Sequence, residues 1–141
     1  MTLKTLQLLK TNKVIKTYTI LDFKQGKTFY YLKIKAILIN SSILHIREYI
    51  SDNERIYSYH WQSKNGKLIC RWDNAPHYTW LKTFPHHKHI SEKIEESQET
   101  DLEDILKKIE NHLHPNQYHL ITFLINSPLL MPFSCCHIFF E

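Results

Sequence analysis

Apolar and polar residues alternate in short runs over the first half of the chain, between Lys13 and Ala75. The runs are rich in Ile, Tyr, Thr and Trp, and clusters of turn-forming residues such as Ser51-Asp52-Asn53 separate them. A period of two with frequent turns is typical of strands joined by tight hairpins. The pattern therefore predicts an antiparallel meander. The predicted strands are Val14–Phe23, Thr28–Leu38, Ser42–Ile50, Arg55–Ser63 and Lys67–Asp73.

Two turns determine how the last three of these strands face one another. Asn65-Gly66 favours a two-residue type I′ turn, because Asn and Gly adopt positive φ at little cost. Closing that hairpin and the one at Asp52-Asn53 aligns the polar positions on one face, since side chains alternate with a period of two. The polar face then carries His45, Arg47, His60, Arg71 and Asp73. The opposite face collects Leu44, Ile46, Ile50, Tyr57, Tyr59, Trp61, Leu68, Cys70 and Trp72.

Further along the chain, apolar residues recur at helical spacing from Leu102 to Leu113. The preceding Thr100-Asp101-Leu102-Glu103 has the form of a capping box. This pattern predicts one amphipathic helix, which would cover the aromatic side of the sheet. The fold class is therefore α+β, an antiparallel meander of about five strands with a C-terminal helix packed on one face. The charged stretch Ser91–Glu99 is predicted to be an exposed connector.

Length and composition fit a single domain with an extension. With 141 residues, 43% of them hydrophobic, the chain is long enough for one ordinary core. We assign residues 1–114 to one domain and residues 115–141 to a tail of unknown role. The tail is mostly apolar but contains Pro128 and Pro132. A packed extra strand, a partner-binding tail or a divergent gene end therefore fits it better than a membrane span of about 20 residues.

Charge and cysteine content argue against a nucleic-acid coat protein and against a disulfide-stapled secreted domain. A net charge of +4 permits a polyanionic partner but is too small for a dedicated nucleic-acid coat. Three cysteines, two of them adjacent, do not form the framework of a disulfide-stapled secreted domain. The N-terminal residues lack the apolar core and cleavage site of a secretory signal. These features predict a cytoplasmic protein.

The segment from Arg71 to His89 is the densest in groups that can carry out chemistry. It contains Asp73, His77, His86 and His87 between those two residues. Imidazole titrates near neutrality, so two histidines can serve as base and acid in one reaction, and a nearby cation can stabilise an anionic transition state. These are the groups that metal-independent RNA cleavage by attack of a 2′-hydroxyl requires. The predicted catalytic residues are Arg71, Asp73, His77, His86, His87 and His89.

Other side chains near this segment are candidates for binding substrate rather than transforming it. They are Lys88, His60, Arg47, His45 and Trp72. Trp72 could stack on an unpaired base, although a core position is the alternative for an aromatic residue in a strand. If the segment around His87 is a strand, side-chain alternation pairs His87 with His89 and His86 with Lys88.

Two other interpretations of the histidine cluster stay open. Neutral imidazole is a common ligand for zinc, copper and nickel, so the same histidines could instead form the centre of a metal-dependent nuclease. No ligand spacing of a known metal motif is present, and the first hypothesis involves no metal and no cofactor. The polar face could also bind a partner protein or nucleic acid without any catalysis.

Four blocks of the sequence resemble the TumE-type family of toxin-antitoxin systems. The blocks are Ser42–Tyr49, Tyr57–Gln62, Arg71–His77 and Thr83–His89, and with the helix at Asp101–Leu113 the resemblance extends from Lys13 to His114. It implies a small toxin whose partner is a cognate antitoxin encoded by a neighbouring gene. RNA and a second copy of the chain are further candidate partners, and no membrane is implied. Nuclease activity is common among such toxins, which favours the ribonuclease hypothesis by analogy.

Overall fold

The computed structural model describes residues 2–114, which form one antiparallel sheet of seven strands with two helices. The strands follow one another across the sheet in chain order. The elements are α1 (Thr2–Thr11), β1 (Ile15–Gln25), β2 (Phe29–Leu38), β3 (Ile43–Ser51), β4 (Arg55–Gln62), β5 (Leu68–Asp73), β6 (His87–Ile90), β7 (Lys93–Glu96) and α2 (Leu102–Leu113). The meander and the C-terminal helix are as predicted, but the prediction of about five strands is wrong. The tail predicted over residues 115–141 lies outside the described residues.

Three elements come in addition to the five strands and one helix predicted from the sequence. Helix α1 precedes the sheet and packs against its core through Leu9, which is 2% exposed. Strands β6 and β7 form a short hairpin whose turn contains Ser91 at a positive φ of 55°. Part of the predicted connector Ser91–Glu99 is therefore the edge strand of the sheet.

The core lies between one face of the sheet and the two helices. Helix α2 buries Leu102, Ile105, Leu106 and Ile109, as its apolar spacing predicted. Its capping box begins one residue later than expected, because the side chain of Asp101 accepts from the backbone N–H of Asp104 at 2.9 Å. Among the described residues, neither helix has the length and apolar character needed to cross a membrane.

The β4–β5 hairpin reaches the predicted register by an unexpected route. Only Gly66 has positive φ in this turn, and the backbone of Ser63 pairs with that of Lys67, so the loop has three residues instead of two. The shift in pairing from this loop is reversed by a β-bulge at Ile69. Beyond the bulge His60 lies opposite Arg71, as predicted. Before it, Leu68 pairs with the polar-face residue Gln62, so its predicted place on the apolar face is wrong.

Candidate functional site

The polar face of the sheet contains two parallel rows of side chains that run across strands β2 to β6. Each row follows the cross-strand pairs, and since paired residues point to the same side of a sheet, each row lies on one face. The first row is Lys35, His45, His60, Arg71 and His89. The second row is Lys33, Arg47, Ser58, Asp73 and His87.

An open cleft of about 310 Å³ lies over the middle of these rows. Its polar and charged lining residues are Lys33, His45, Arg47, Ser58, His60, Arg71, Asp73 and His77. We call it the cationic cleft, because three of these residues are permanent cations and only one is an acid. The exposed His77 belongs to the loop after β5 and forms one wall. The predicted residues His45, Arg47, His60, Arg71, Asp73 and His77 are thus brought together.

At the floor of the cleft lies a carboxylate, Asp73, which is 3% exposed. Its Oδ2 accepts a 2.7 Å hydrogen bond from Nε of Arg71, and its Oδ1 accepts one of 3.1 Å from the backbone N–H of Ala75. These bonds hold the half-exposed Arg71 guanidinium at the surface of the cleft. Asp73 therefore positions a cation that faces solvent.

His87 lies behind Asp73 and is 1% exposed. Its Nδ1 donates a 2.9 Å hydrogen bond to the carbonyl oxygen of Pro85, which can only accept. Its Nε2 lies 3.0 Å from Oδ1 of Asp73, but the geometry is not that of a hydrogen bond, and no described residue is its hydrogen-bond partner. The ring of Tyr78 covers His87 edge-on, with 4.7 Å between ring centroids. His87, a predicted catalytic residue, is therefore enclosed and does not line the cationic cleft.

His89 completes the buried end of the first row. Its Nε2 accepts a hydrogen bond of 3.1 Å from the Arg71 guanidinium and lies 3.7 Å from Oδ2 of Asp73. Burial, and then the positive charge of Arg71, lower the pKa of His89. A neutral His89 is consistent with its role as acceptor from Arg71.

Three predicted site residues point away from the cationic cleft. Trp72 is 6% exposed on the core face, so it has no surface on which a base could stack. Lys88 pairs with Trp72 across the strands and forms an ion pair with Glu95 at 3.2 Å. His86 precedes β6, and its Nδ1 lies 2.9 Å from the hydroxyl of the core residue Tyr57. Alternation along the strand thus selects His87 and His89 as the pair that faces Asp73.

His45 and His60 lie next to each other in the cleft, with 6.1 Å between ring centroids. Nε2 of His60 lies 3.0 Å from Oε1 of Gln62, so it carries the proton and leaves Nδ1 as the basic nitrogen. Burial lowers the pKa of His45, and the charges of His60, Lys35 and Lys33 lower it further. His45 is therefore a neutral base at physiological pH.

Sequence reasoning missed Lys33, which lines the cleft from β2 opposite Arg47. The signal was present, because Lys33 and Lys35 alternate with Leu32, Ile34 and Ala36 along that strand. The turn at Asn40-Ser41 would have aligned the two lysines with the polar face.

A family model described as Toxin TumE matches residues 5–113. The match covers most of the chain and includes all strands of the sheet and α2. A search of curated proteins and a search of solved structures each gave no match.

Proposed function

Since the chain belongs to the TumE toxin family, we propose that it acts in the cytoplasm as the toxin of a toxin-antitoxin system by cleaving RNA in the cationic cleft. Membership of this family implies a cognate antitoxin as partner. The observation that carries the ribonuclease proposal is that one face of a rigid sheet combines three permanent cations with three histidines within a single cleft.

The charge of the cleft fits a phosphodiester backbone. Lys33, Arg47 and Arg71 are spread over β2, β3 and β5, so they can contact successive phosphates of one strand. Phosphate contacts supply most of the sequence-independent affinity for nucleic acids. The open shape of the cleft favours single-stranded RNA, whose sugar and phosphate groups can approach a shallow surface.

The histidines supply the acid–base chemistry. The neutral His45 accepts the proton of a 2′-hydroxyl, which attacks the adjacent phosphorus. A protonated His60 or His77 donates a proton to the departing 5′-oxygen, and Arg71 stabilises the charge on the phosphorane between these steps. In this scheme Arg71 and His77 keep the catalytic roles predicted from the sequence, and Asp73 positions Arg71. His45 and His60, which were predicted to bind substrate, take part in catalysis instead. The products are a 2′,3′-cyclic phosphate and a 5′-hydroxyl, and the chemical steps involve no metal.

The proposal is tested with purified protein and a defined RNA in EDTA. We expect cleavage of unmodified RNA and none of the same RNA carrying 2′-O-methyl groups, because methylation removes the nucleophile. Double substitution of His45→Ala and His60→Ala should reduce the rate at least 100-fold, within the range of loss of general acid–base catalysis. His114→Ala is the matched control, since His114 is the exposed C-cap residue of α2 and lies outside the cleft, and this variant should cleave normally.

Induction of the chain in cells, with and without the neighbouring gene, gives the second readout. The toxin role is supported if the chain arrests growth and the neighbouring gene relieves the arrest. The catalytic site is supported if the double histidine variant, at equal abundance, causes no arrest. If both RNAs bind equally and neither is cleaved, the cleft is a binding surface and the ribonuclease proposal is wrong.

A further inference from the structure

Asp73, His87 and His89 form a cluster beneath the cationic cleft that the proposed RNA chemistry does not use directly. Each offers one donor atom to the same small volume, and the three atoms lie within 4.8 Å of one another. Two imidazole nitrogens and one carboxylate oxygen are a common ligand set for a divalent transition metal. All three side chains lie on two paired strands, β5 and β6, so the backbone holds the set together.

The donor atoms are close enough together to share one metal ion. With ligands about 2.1 Å from the metal, neighbouring donors of a tetrahedron are about 3.4 Å apart. The observed separations are 3.0 Å from Nε2 of His87 to Oδ1 of Asp73 and 3.7 Å from Nε2 of His89 to Oδ2 of Asp73. The two distances involve different oxygens of the same carboxylate, and both are close to the separation of neighbouring ligands.

The hydrogen-bond pattern of His87 independently points to a ligand. Nδ1 of His87 donates to the carbonyl oxygen of Pro85, so in the neutral ring Nε2 carries a lone pair. That lone pair is buried beside the Asp73 carboxylate, and no described residue is its hydrogen-bond partner. Two lone-pair-bearing atoms at 3.0 Å repel each other unless a positive group lies between them. A hydrogen bond from Nδ1 to a carbonyl is also the usual means of orienting a metal-binding histidine.

Nε2 of His89 is also an acceptor, because Arg71 donates to it at 3.1 Å. The guanidinium therefore contacts two members of the cluster, Asp73 and His89. A metal ion would compete with Arg71 for the same carboxylate and the same nitrogen. Removing the guanidinium should consequently strengthen metal binding at this position.

We propose that Asp73, His87 and His89 bind one divalent transition-metal ion of the zinc class, which fixes β6 onto β5 under the cleft. The ion has a structural role, because the buried His87 has no contact with the RNA side of the cleft. The site shares Asp73 and its contact with Arg71 with the proposed function but none of that function's acid–base groups, and the inference does not depend on that function.

The metal content of the untagged full chain, purified without chelator, is measured first, and the stripped protein is then titrated with Zn²⁺ and with Co²⁺. We expect one saturable equivalent and the intense visible absorption of tetrahedral Co²⁺. His87→Gln should weaken Co²⁺ binding at least tenfold. His86→Gln is the matched control, because the imidazole of His86 is next in the chain to His87 but lies outside the cluster. This variant should bind Co²⁺ as the wild type does.

Arg71→Gln tests the metal site even if the histidine variants fold poorly. We expect it to bind Co²⁺ several times more tightly than the wild type, and Zn²⁺ should raise the unfolding temperature of both proteins. Failure of the wild type to bind one equivalent, or equal affinities of His86→Gln and His87→Gln, would overturn the metal site.

RNA cleavage assayed on the same stripped samples separates this proposal from the proposed function. Cleavage in EDTA with lowered thermal stability supports both. Cleavage that needs added Zn²⁺ while the stripped protein stays folded supports the metal ion but refutes both its purely structural role and the metal-independent mechanism. Absence of a bound metal leaves the cleft proposal intact and removes only this site.

Discussion

The Nε atom of Arg71 donates a 2.7 Å hydrogen bond to Oδ2 of Asp73, and this bond joins the solvent-facing cleft to its buried floor. Asp73→Asn would replace the charged acceptor by a neutral amide and leave Arg71 less firmly held. We expect the free energy of unfolding to fall by about 2–3 kcal/mol, below the full value for a buried pair because Arg71 is half exposed. Urea unfolding measures the change.

Asp22→Asn is the matched control for this substitution. Asp22 pairs with Lys24 at 3.6 Å on the surface, where both side chains are exposed. Its replacement should change stability by less than about 0.5 kcal/mol. Equal losses from the two variants would contradict the role given to Asp73.

A second buried carboxylate, Glu48, joins α1 to the sheet. It accepts hydrogen bonds from Tyr59 at 2.6 Å and from Thr5 at 3.0 Å. Burial and the Glu48 charge raise the pKa of Tyr59, so its hydroxyl stays a donor. Glu48→Ala should cost about 2–4 kcal/mol, because it leaves buried hydroxyls without an acceptor and opens a cavity. Glu54→Ala, at an exposed hairpin position, should stay within about 0.5 kcal/mol in the same unfolding assay.

The stability of the fold should fall as the pH is lowered below 6.5 because of His45. Its pKa is lower in the folded protein than in the unfolded chain, so the unfolded chain binds more protons in that range. The contribution is fully present above pH 6.5 and is lost as the pH falls through the folded pKa. Unfolding measured from pH 5 to 8 should show a smaller decline for His45→Gln than for the wild type. Parallel pH profiles would show that His45 is not the titrating group.

The turn after β4 depends on Gly66, whose φ is +87°. A Cβ atom there would meet nothing within 4 Å, so any cost of Gly66→Ala comes from the backbone alone. We expect a loss of about 1 kcal/mol, the penalty of the left-handed region for a residue with a side chain. Gly66→Asn should lose less, because Asn tolerates this region better. Thermal unfolding of the two variants tests the ranking, and a neutral Gly66→Ala would refute it.

If RNA binds the cationic cleft, its affinity should depend on salt through Lys33. Lys33→Gln should reduce the slope of log affinity against log salt concentration by about 1, because one phosphate contact is lost. Lys107→Gln, which changes an exposed lysine on α2 across the sheet, should leave the slope unchanged. Binding of 2′-O-methyl RNA by fluorescence anisotropy gives both slopes without cleavage. Identical slopes for the two variants would place the RNA elsewhere.

Strands β3 to β5 could be placed from sequence because apolar and polar residues alternate over most of their length and short turns join them. The facing of His45, His60 and Arg71 followed from two turns. The predicted facing is correct although the predicted turn type is wrong, because the bulge at Ile69 reverses the shift in strand pairing that the longer loop introduces. Bulges leave no clear pattern in a single sequence, since one extra residue looks like an ordinary member of the strand.

The buried end of the site was less accessible to sequence reasoning. Strands β6 and β7 have four residues each and are mostly polar, so no apolar alternation marks them. Their place depends on pairing with β5, which is tertiary information. For the same reason the sequence could couple His87 with His89 but could not show that this pair, rather than His86 and Lys88, faces Asp73.

Each strand of the sheet pairs with its neighbours in the chain, so the polypeptide can add strands in the order in which the ribosome releases them. Such local pairings close short loops and form faster than pairings between distant segments. The rows beneath the cleft are complete once β6 has joined β5, whereas the core face stays open to water until α2 has been synthesised. A nascent chain would therefore present its cationic surface before its core is sealed, and an antitoxin that recognises this surface would have a target before synthesis ends.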